Sequence, residues 1–101
     1  MSDEGRLREE IDRGSKAAAL VRNPIFEEAF AALRLRYATD WANTPPGDAE
    51  QRERLYIAIN VLGDIYDHVI GIMQTGELAG KEIDAEREDS RVHWITLRRD
   101  H

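Results

Sequence analysis

The sequence predicts an all-α fold, a helical hairpin or three-helix bundle around a long central helix, and we expect that fold to be oligomeric. Three observations predict it. Apolar residues recur every three or four positions through most of the chain, as on a helix with one buried face. Helix start signals precede positions 24 and 49, and no proline occurs between residues 49 and 80.

Composition narrows the class of protein. The 101 residues are enough for one domain spanning 1–101. With 42% apolar and 34% charged residues the chain is globular in composition. The absence of cysteine excludes disulfides, thiolate zinc sites and a cysteine nucleophile, and it favours the cytoplasm, which for a phage-encoded chain would be the host's. We expect neither a signal peptide nor a membrane span, because no stretch approaches the roughly 20 apolar residues that a span requires.

The net charge of −6 opposes broad electrostatic binding to nucleic acid. The charge is also uneven. Residues 1–22 balance, whereas residues 48–80 hold two basic and six acidic side chains. The central helix is therefore expected to be the acidic part.

The first predicted helix covers residues 3–21. Leu7, Ile11, Ala18 and Val21 recur at helical spacing, and Gly14 falls on the same stripe. Glycine lowers helix propensity by about 1 kcal/mol relative to alanine. Gly14 therefore indicates either a break or a close helix crossing.

The second helix begins at Asn23-Pro24, because asparagine caps free amides and proline needs no amide donor at the first helical position. Two prolines and a glycine at 45–47 end it. Its aromatic and aliphatic residues, spaced by three or four, predict one buried face. This predicted hairpin core consists of Phe26, Phe30, Leu33, Tyr37 and Trp41.

The third helix is expected from about residue 49 to Gly76 or Gly80, with Asp48 and Gln51 resembling a capping box. Together with the second helix it forms the predicted hairpin, residues 23–80. A heptad-like seam suited to a neighbouring helix runs along it. The seam is Leu55, Ile59, Leu62, Tyr66, Val69 and Met73, and a second apolar surface is Ile57, Val61, Ile65 and Ile72.

A helix that is apolar on two sides must be covered on two sides. The first helix could cover the second surface within one chain, giving a three-helix bundle. Alternatively, the long helix completes its burial with other subunits. The sequence favours the second alternative, a homo-oligomer, so the ten apolar residues above are predicted core or oligomer-interface positions.

Residues 81–101 form a charged C-terminal segment. The run 81–89 is typical of a solvated helix with opposite-charge neighbours. The run 92–97 is rich in β-branched and aromatic residues. It could dock on a helix, continue the helix or pair with another subunit.

The sequence predicts no catalytic site, no metal and no cofactor. Asp64 and His68 lie four residues apart and could begin a metal site, but no third ligand follows at suitable spacing. An exposed Asp-His pair is the more common explanation. Serines and histidines are scattered and form no recognisable triad. We therefore expect a protein that is not an enzyme.

Near the C-terminus, three arginines lie close in sequence to a tryptophan. Arginine can bind phosphate and tryptophan can stack on a base, so these residues are candidates for weak nucleic-acid contact. A charged, solvated terminus explains them equally. The candidates are Arg91, Trp94, Arg98 and Arg99.

The residues from about 14 to 80 carry a set of helix caps and core positions. The set is Asn23-Pro24-Ile25-Phe26-Glu27-Glu28-Ala29-Phe30, Trp41, Thr44, Asp48, Arg52-Glu53-Arg54-Leu55, Leu62-Gly63, His68 and Gly76-Glu77-Leu78-Ala79. With these residues the chain resembles small helical proteins encoded in late operons of tailed phages and prophages. Such motifs identify an architecture more than an activity.

That resemblance includes small terminase subunits, which are non-enzymatic multimers that present viral DNA to a large motor and nuclease subunit. It implies a hairpin assembled into a ring, with the large terminase subunit as protein partner. The chain departs from the usual pattern in lacking a clear N-terminal helix-turn-helix. A structural or accessory virion protein and a small regulatory protein are the alternatives.

Overall fold

The computed structural model describes the backbone of residues 2–99 and the side chains of residues 3–91. Three helices, α1 (Ser2–Val21), α2 (Pro24–Ala42) and α3 (Ala49–Arg99), account for nearly all of the described chain. This part of the chain contains no strand, and the other two helices pack on α3. The prediction of an all-α fold is confirmed.

Two compact units can be distinguished by their internal contacts. Unit 1 comprises Met1–Lys16 and Ile72–His101, and unit 2 comprises Ala17–Gly71. Helices α1 and α3 each contribute residues to both units.

The predicted start of α2 is confirmed. The Asn23 side chain accepts hydrogen bonds from the amides of Ile25 (2.8 Å) and Phe26 (3.3 Å). Pro24 follows at the first helical position. These bonds satisfy amides that have no partner within the helix, which is why the helix begins at this residue.

The turn before α3 is held by local hydrogen bonds. Asp48 accepts from the amide of Gln51 at 3.1 Å, as the predicted cap requires. The Asp48 amide itself donates to the carbonyl of Pro45 at 2.9 Å. The Arg52 guanidinium donates to the carbonyl of Pro46 at 3.0 Å. This bond links the loop before α3 to the beginning of the helix.

The predicted end of α3 is wrong. The helix does not stop at Gly76 or Gly80 but continues to Arg99, a length of 51 residues. At 1.5 Å per residue this is about 76 Å. Of the three alternatives for the run 92–97, the backbone takes the second and continues the helix.

Gly76 is a packing position rather than a helix terminator. In unit 1 a Cβ placed on Gly76 would lie 2.8 Å from the Cα of Gly14 and 2.9 Å from the carbonyl oxygen of Glu10. Only glycine at both positions permits this approach of the two backbones. Gly14 therefore marks a close helix crossing, one of its two predicted explanations, and not a break.

The core of unit 1 lies beside this crossing. Leu7, Ala79 and Ile83 are buried together, with Ile11 packed against them. Leu7, early in α1, packs with Ile83, whereas Gly14, later in α1, contacts Gly76, which is earlier in α3. The two helices are therefore antiparallel. Among the described residues, the buried part of this contact consists of small and aliphatic side chains.

In unit 2, α2 packs antiparallel on α3. The ring of Phe30 lies 5.6 Å from that of Tyr66 and 4.7 Å from that of Phe26, measured between centroids. Leu55 and Leu62 of α3 are buried. This confirms the predicted pairing of the second helix with the third.

The predicted aromatic face of α2 is only partly buried. Phe26, Phe30, Leu33 and Tyr37 are half-buried. Trp41 is 48% exposed, so its assignment to the hairpin core is wrong. It occupies the last turn of the helix, next to the chain reversal.

Candidate interaction surface

Three aliphatic side chains of α3 form an exposed stripe in unit 2. Ile57, Val61 and Ile65 are 51%, 50% and 51% exposed. Spaced four residues apart, they lie along one side of the helix. We call them the aliphatic stripe. They belong to the second apolar surface predicted from the sequence, and no other part of unit 2 buries them.

Ile72, the fourth residue predicted for that surface, has a different environment. It belongs to unit 1 and is half-buried. Its carbonyl oxygen would lie 3.2 Å from a Cβ placed on Gly14. Ile72 therefore lies at the crossing of α1 and α3 and is not part of the aliphatic stripe.

The seam predicted along α3 does face its neighbouring helices. Leu55 and Leu62 are buried, and the other four seam residues are half-buried. These four are Ile59, Tyr66, Val69 and Met73. The ten predicted core or interface residues thus separate into a packed seam, the exposed aliphatic stripe and Ile72.

A shallow groove of about 300 Å³ adjoins the aliphatic stripe. It lies between α2 and α3 and has an apolar lining apart from one phenol group. The lining residues are Tyr37, Ala58, Val61, Leu62 and Ile65. Stripe and groove together form a surface that a helix with an apolar face could fill.

A further exposed stripe lies on α2 and is not among the surfaces predicted from the sequence. Its residues recur at steps of 4, 3 and 4, the same spacing as the seam of α3. All are exposed, Leu35 to 70%. We call this set the outer stripe: Ala31, Leu35, Ala38 and Ala42. The aromatic residues of α2 lie on its other face, which is the face predicted from the sequence to be buried.

Charges of both signs lie beside each stripe. Glu28 and Arg34 each lie three residues from Ala31 of the outer stripe, which is one turn along the same side of α2. Arg54 and Asp64 each lie three residues from a member of the aliphatic stripe on α3. All four side chains are exposed.

The structure provides no support for a metal site at Asp64 and His68. Both side chains are exposed on α3. Among the described residues there is no group of three histidine, aspartate or glutamate side chains that could hold a metal ion. The predicted absence of a metal stays a prediction for the chain as a whole.

Unit 1 carries a shallow polar depression of about 280 Å³ near Glu4 and Arg87. The Glu4 carboxylate accepts a hydrogen bond from Arg8 at 2.9 Å. This bond and the charge of Arg8 lower the pKa of Glu4 below its ordinary value. Both side chains are exposed, so the pair is an ordinary surface ion pair.

The candidate nucleic-acid contact is described only in part. Arg91 donates to both carboxylate oxygens of Glu88 at 2.6 Å. It is thus already paired within its own helix. The side chains of Trp94, Arg98 and Arg99 lie outside the described residues, and their role in nucleic-acid contact stays a prediction.

Among the described residues one helix, Ala49–Arg91 of α3, is by length and composition apolar enough to cross a membrane. The sequence alone predicts no membrane span. One such helix is weak evidence. Asp64 and Asp67 fall within its apolar part, and each charged residue at a bilayer centre costs about 2.5 to 3.5 kcal/mol. That cost weighs against a membrane span.

Comparison with known proteins gives no relative. No protein-family model, curated protein or solved structure matches this chain.

Proposed function

We propose that this chain is a non-enzymatic assembly protein that acts as a homo-oligomer, in the role of a small terminase-like component of phage DNA packaging. The observation that carries the proposal is the aliphatic stripe. Three β-branched side chains, each about half exposed, lie beside an apolar groove. Contiguous exposed apolar surface of this kind marks an interaction site.

An occupant of the aliphatic stripe needs an apolar helix face of its own. Helices α2 and α3 of a second copy supply apolar residues at helical spacing. A second copy of the chain is therefore the proposed occupant.

The packaging role is the finer part of the proposal and is supported by the resemblance to small phage-encoded helical proteins. A small terminase works by multimerising and by contacting a large subunit, and needs no catalytic site. The excess of acidic residues along residues 48–80 suits a protein partner better than a phosphate backbone. We place the protein in the cytoplasm of the host cell.

The oligomer is tested by measuring the solution mass with light scattering over a concentration series. We expect a stable multimer for the wild-type chain. Ile57→Lys with Ile65→Lys should give a folded monomer of about 11.6 kDa, because buried unpaired lysines oppose association. Circular dichroism checks that the variant remains helical. A wild-type chain that is monomeric at every concentration would refute the proposal.

A matched control adds the same charge away from the aliphatic stripe. Gln51→Lys with Gln74→Lys also adds two positive charges to exposed positions of α3. This variant should keep the wild-type mass. If it also became monomeric, net charge rather than the aliphatic stripe would govern association.

The packaging role needs its own experiment. The purified oligomer is titrated with the large terminase subunit encoded by the same genome, and binding is followed by calorimetry. We expect binding by the wild-type oligomer and much weaker binding by the monomeric variant. Absence of binding by the wild-type oligomer would reject packaging and leave the assembly proposal standing.

A further inference from the structure

Helix α2 packs on α3 without burying any of its own residues. None of its 19 residues reaches full burial. Its inner face, which includes Phe30 and Leu33, is only half-buried. A helix in a protein is stabilised mainly by packing of an apolar face and less by its own propensity. The packing that holds α2 in place is therefore weak.

Helix α1 is packed more tightly in unit 1. Leu7 of α1 and Ala79 of α3 are both 2% exposed. At the crossing of these two helices, a Cβ placed on Gly14 would lie 2.8 Å from the Cα of Gly76. Backbones that approach this closely gain many dispersion contacts. We therefore expect the contact of α1 with α3 to be more stable than that of α2 with α3.

Polar bonds do not compensate for the weak packing of α2. Among the described residues, the hydrogen bonds of α2 stay within the helix or join it to its flanking residues 23 and 43–44. The salt bridges between described side chains all lie within α1 or within α3. Apolar contact is therefore the interaction that holds α2 against α3.

The helix is interrupted on both sides of α2. Helix α1 ends at Val21 and α2 begins at Pro24, whereas residues 43–48 separate α2 from α3. Helix formation is cooperative along a continuous hydrogen-bonded ladder. Because the ladder is broken at both ends of α2, its unfolding need not spread into α1 or α3.

We propose that α2 is a lid on the seam of α3, and that it opens by local unfolding while α1 stays packed and α3 stays helical. Lids and other moving elements come from the least stable part of a structure. Opening uncovers Leu55 and Leu62, which are buried when the lid is closed. Leu62 lines the same groove as Val61 and Ile65, so opening extends the apolar surface of the aliphatic stripe.

Native-state hydrogen exchange of backbone amides, followed by NMR, tests the lid. After correction for intrinsic rates, the amides of Phe30 and Leu33 should exchange at least about tenfold faster than those of Leu7 and Ile83 in unit 1. The amide of Leu62 should exchange more slowly than those of α2, because α3 stays helical in the open state. Equal protection of α2 and unit 1 would overturn the proposal. Exchange of Leu62 at the rate of α2 would also overturn it, since unit 2 would then open as a whole.

A substitution in unit 1 separates local opening from global unfolding. Ile11 packs against the buried core of unit 1, and this contact is present whether the lid is closed or open. Ile11→Ala should therefore speed amide exchange in unit 1 by about tenfold and leave the exchange of α2 unchanged. Equal acceleration in α1 and α2 would mean that the two helices open together, which the proposal forbids.

Leu33→Ala is the matched variant in the lid. It removes packing that is present only when the lid is closed. Exchange in α2 should therefore become faster, and exchange in unit 1 should become faster by the same factor, because both openings start from the closed state. Unchanged exchange in α2 would show that the contact of Leu33 does not hold the lid closed, and would reject the proposal.

Ile11→Val guards against loss of folding. It removes one methylene group and should speed exchange in unit 1 by about threefold, again without changing the exchange of α2. Circular dichroism checks that each variant remains helical. The lid is a property of the single chain and goes beyond the proposed homo-oligomer. Light scattering decides the oligomer and hydrogen exchange decides the lid, so the two failures are distinguishable.

Discussion

At the scale of single residues, Gly14 and Gly76 set how closely α1 and α3 approach in unit 1. A side chain on either would meet the backbone of the other helix, with the nearest atom at 2.8 Å. Real Cβ contacts do not become this short, and backbone cannot move aside as a flexible side chain can. The crossing therefore depends on the absence of two methyl groups.

Substitution of Gly76 by alanine should destabilise the protein. Alanine has a helix propensity better by about 1 kcal/mol, but overpacking of a close contact costs about 1 to 3 kcal/mol. We expect the clash to exceed the gain in propensity, so the free energy of unfolding falls. Urea unfolding followed by circular dichroism measures the change.

Gly80, one helical turn later, provides the control. A Cβ placed there meets no atom within 4 Å. Gly80→Ala should therefore raise the free energy of unfolding by up to about 1 kcal/mol. If both substitutions changed stability in the same direction, the crossing at Gly14 would not be what requires Gly76.

At the scale of elements, α3 has two apolar faces with different tasks. Leu62 is 9% exposed in the seam, whereas Ile57 is 51% exposed in the aliphatic stripe. Truncation of Leu62 removes contacts with other residues of the same chain. Truncation of Ile57 removes apolar surface that we propose contacts another copy.

Leu62→Ala should lower the free energy of unfolding by about 2 to 4 kcal/mol, because it leaves a cavity in the seam. Ile57→Ala should change the stability of the isolated chain by less than about 1 kcal/mol and raise the concentration needed for assembly. Urea unfolding at several protein concentrations separates the two effects. Equal losses at the lowest concentration would contradict the division of α3 into two faces.

The two ends of α3 differ in how well the sequence predicts them. Asp48 caps the helix by bonding an amide three residues away, so its start is determined locally. Gly76 and Gly80 look like terminators by the same local criteria, yet the helix continues through both. The role of Gly76 depends on Gly14, which is 62 positions away in the chain.

At the scale of the whole molecule, charge limits how the protein can meet DNA. The net charge is −6, and the candidate nucleic-acid contact occupies only one end of the chain. Arg91 already pairs with Glu88. Any binding should be weak and should require many copies of this end in one oligomer.

Removal of residues 91–101 should abolish any salt-sensitive DNA shift. Gel-shift titrations at two salt concentrations measure this, since affinity falls with salt in proportion to the phosphates contacted. The solution mass of the truncated protein should stay that of the wild type, because the aliphatic stripe lies in unit 2. A DNA shift that persists after truncation would place the contact elsewhere.

The sequence by itself determined the fold class, the starts of α2 and α3 and the existence of a second apolar surface on α3. These features follow from side-chain periodicity and from caps that bond amides two or three residues away. Only the tertiary structure decided where α3 ends, that α1 packs beside Ile72 in unit 1, and that Ile57, Val61 and Ile65 stay exposed. The reason is that an apolar face becomes core or surface according to which distant segment packs on it, and no local pattern specifies that segment.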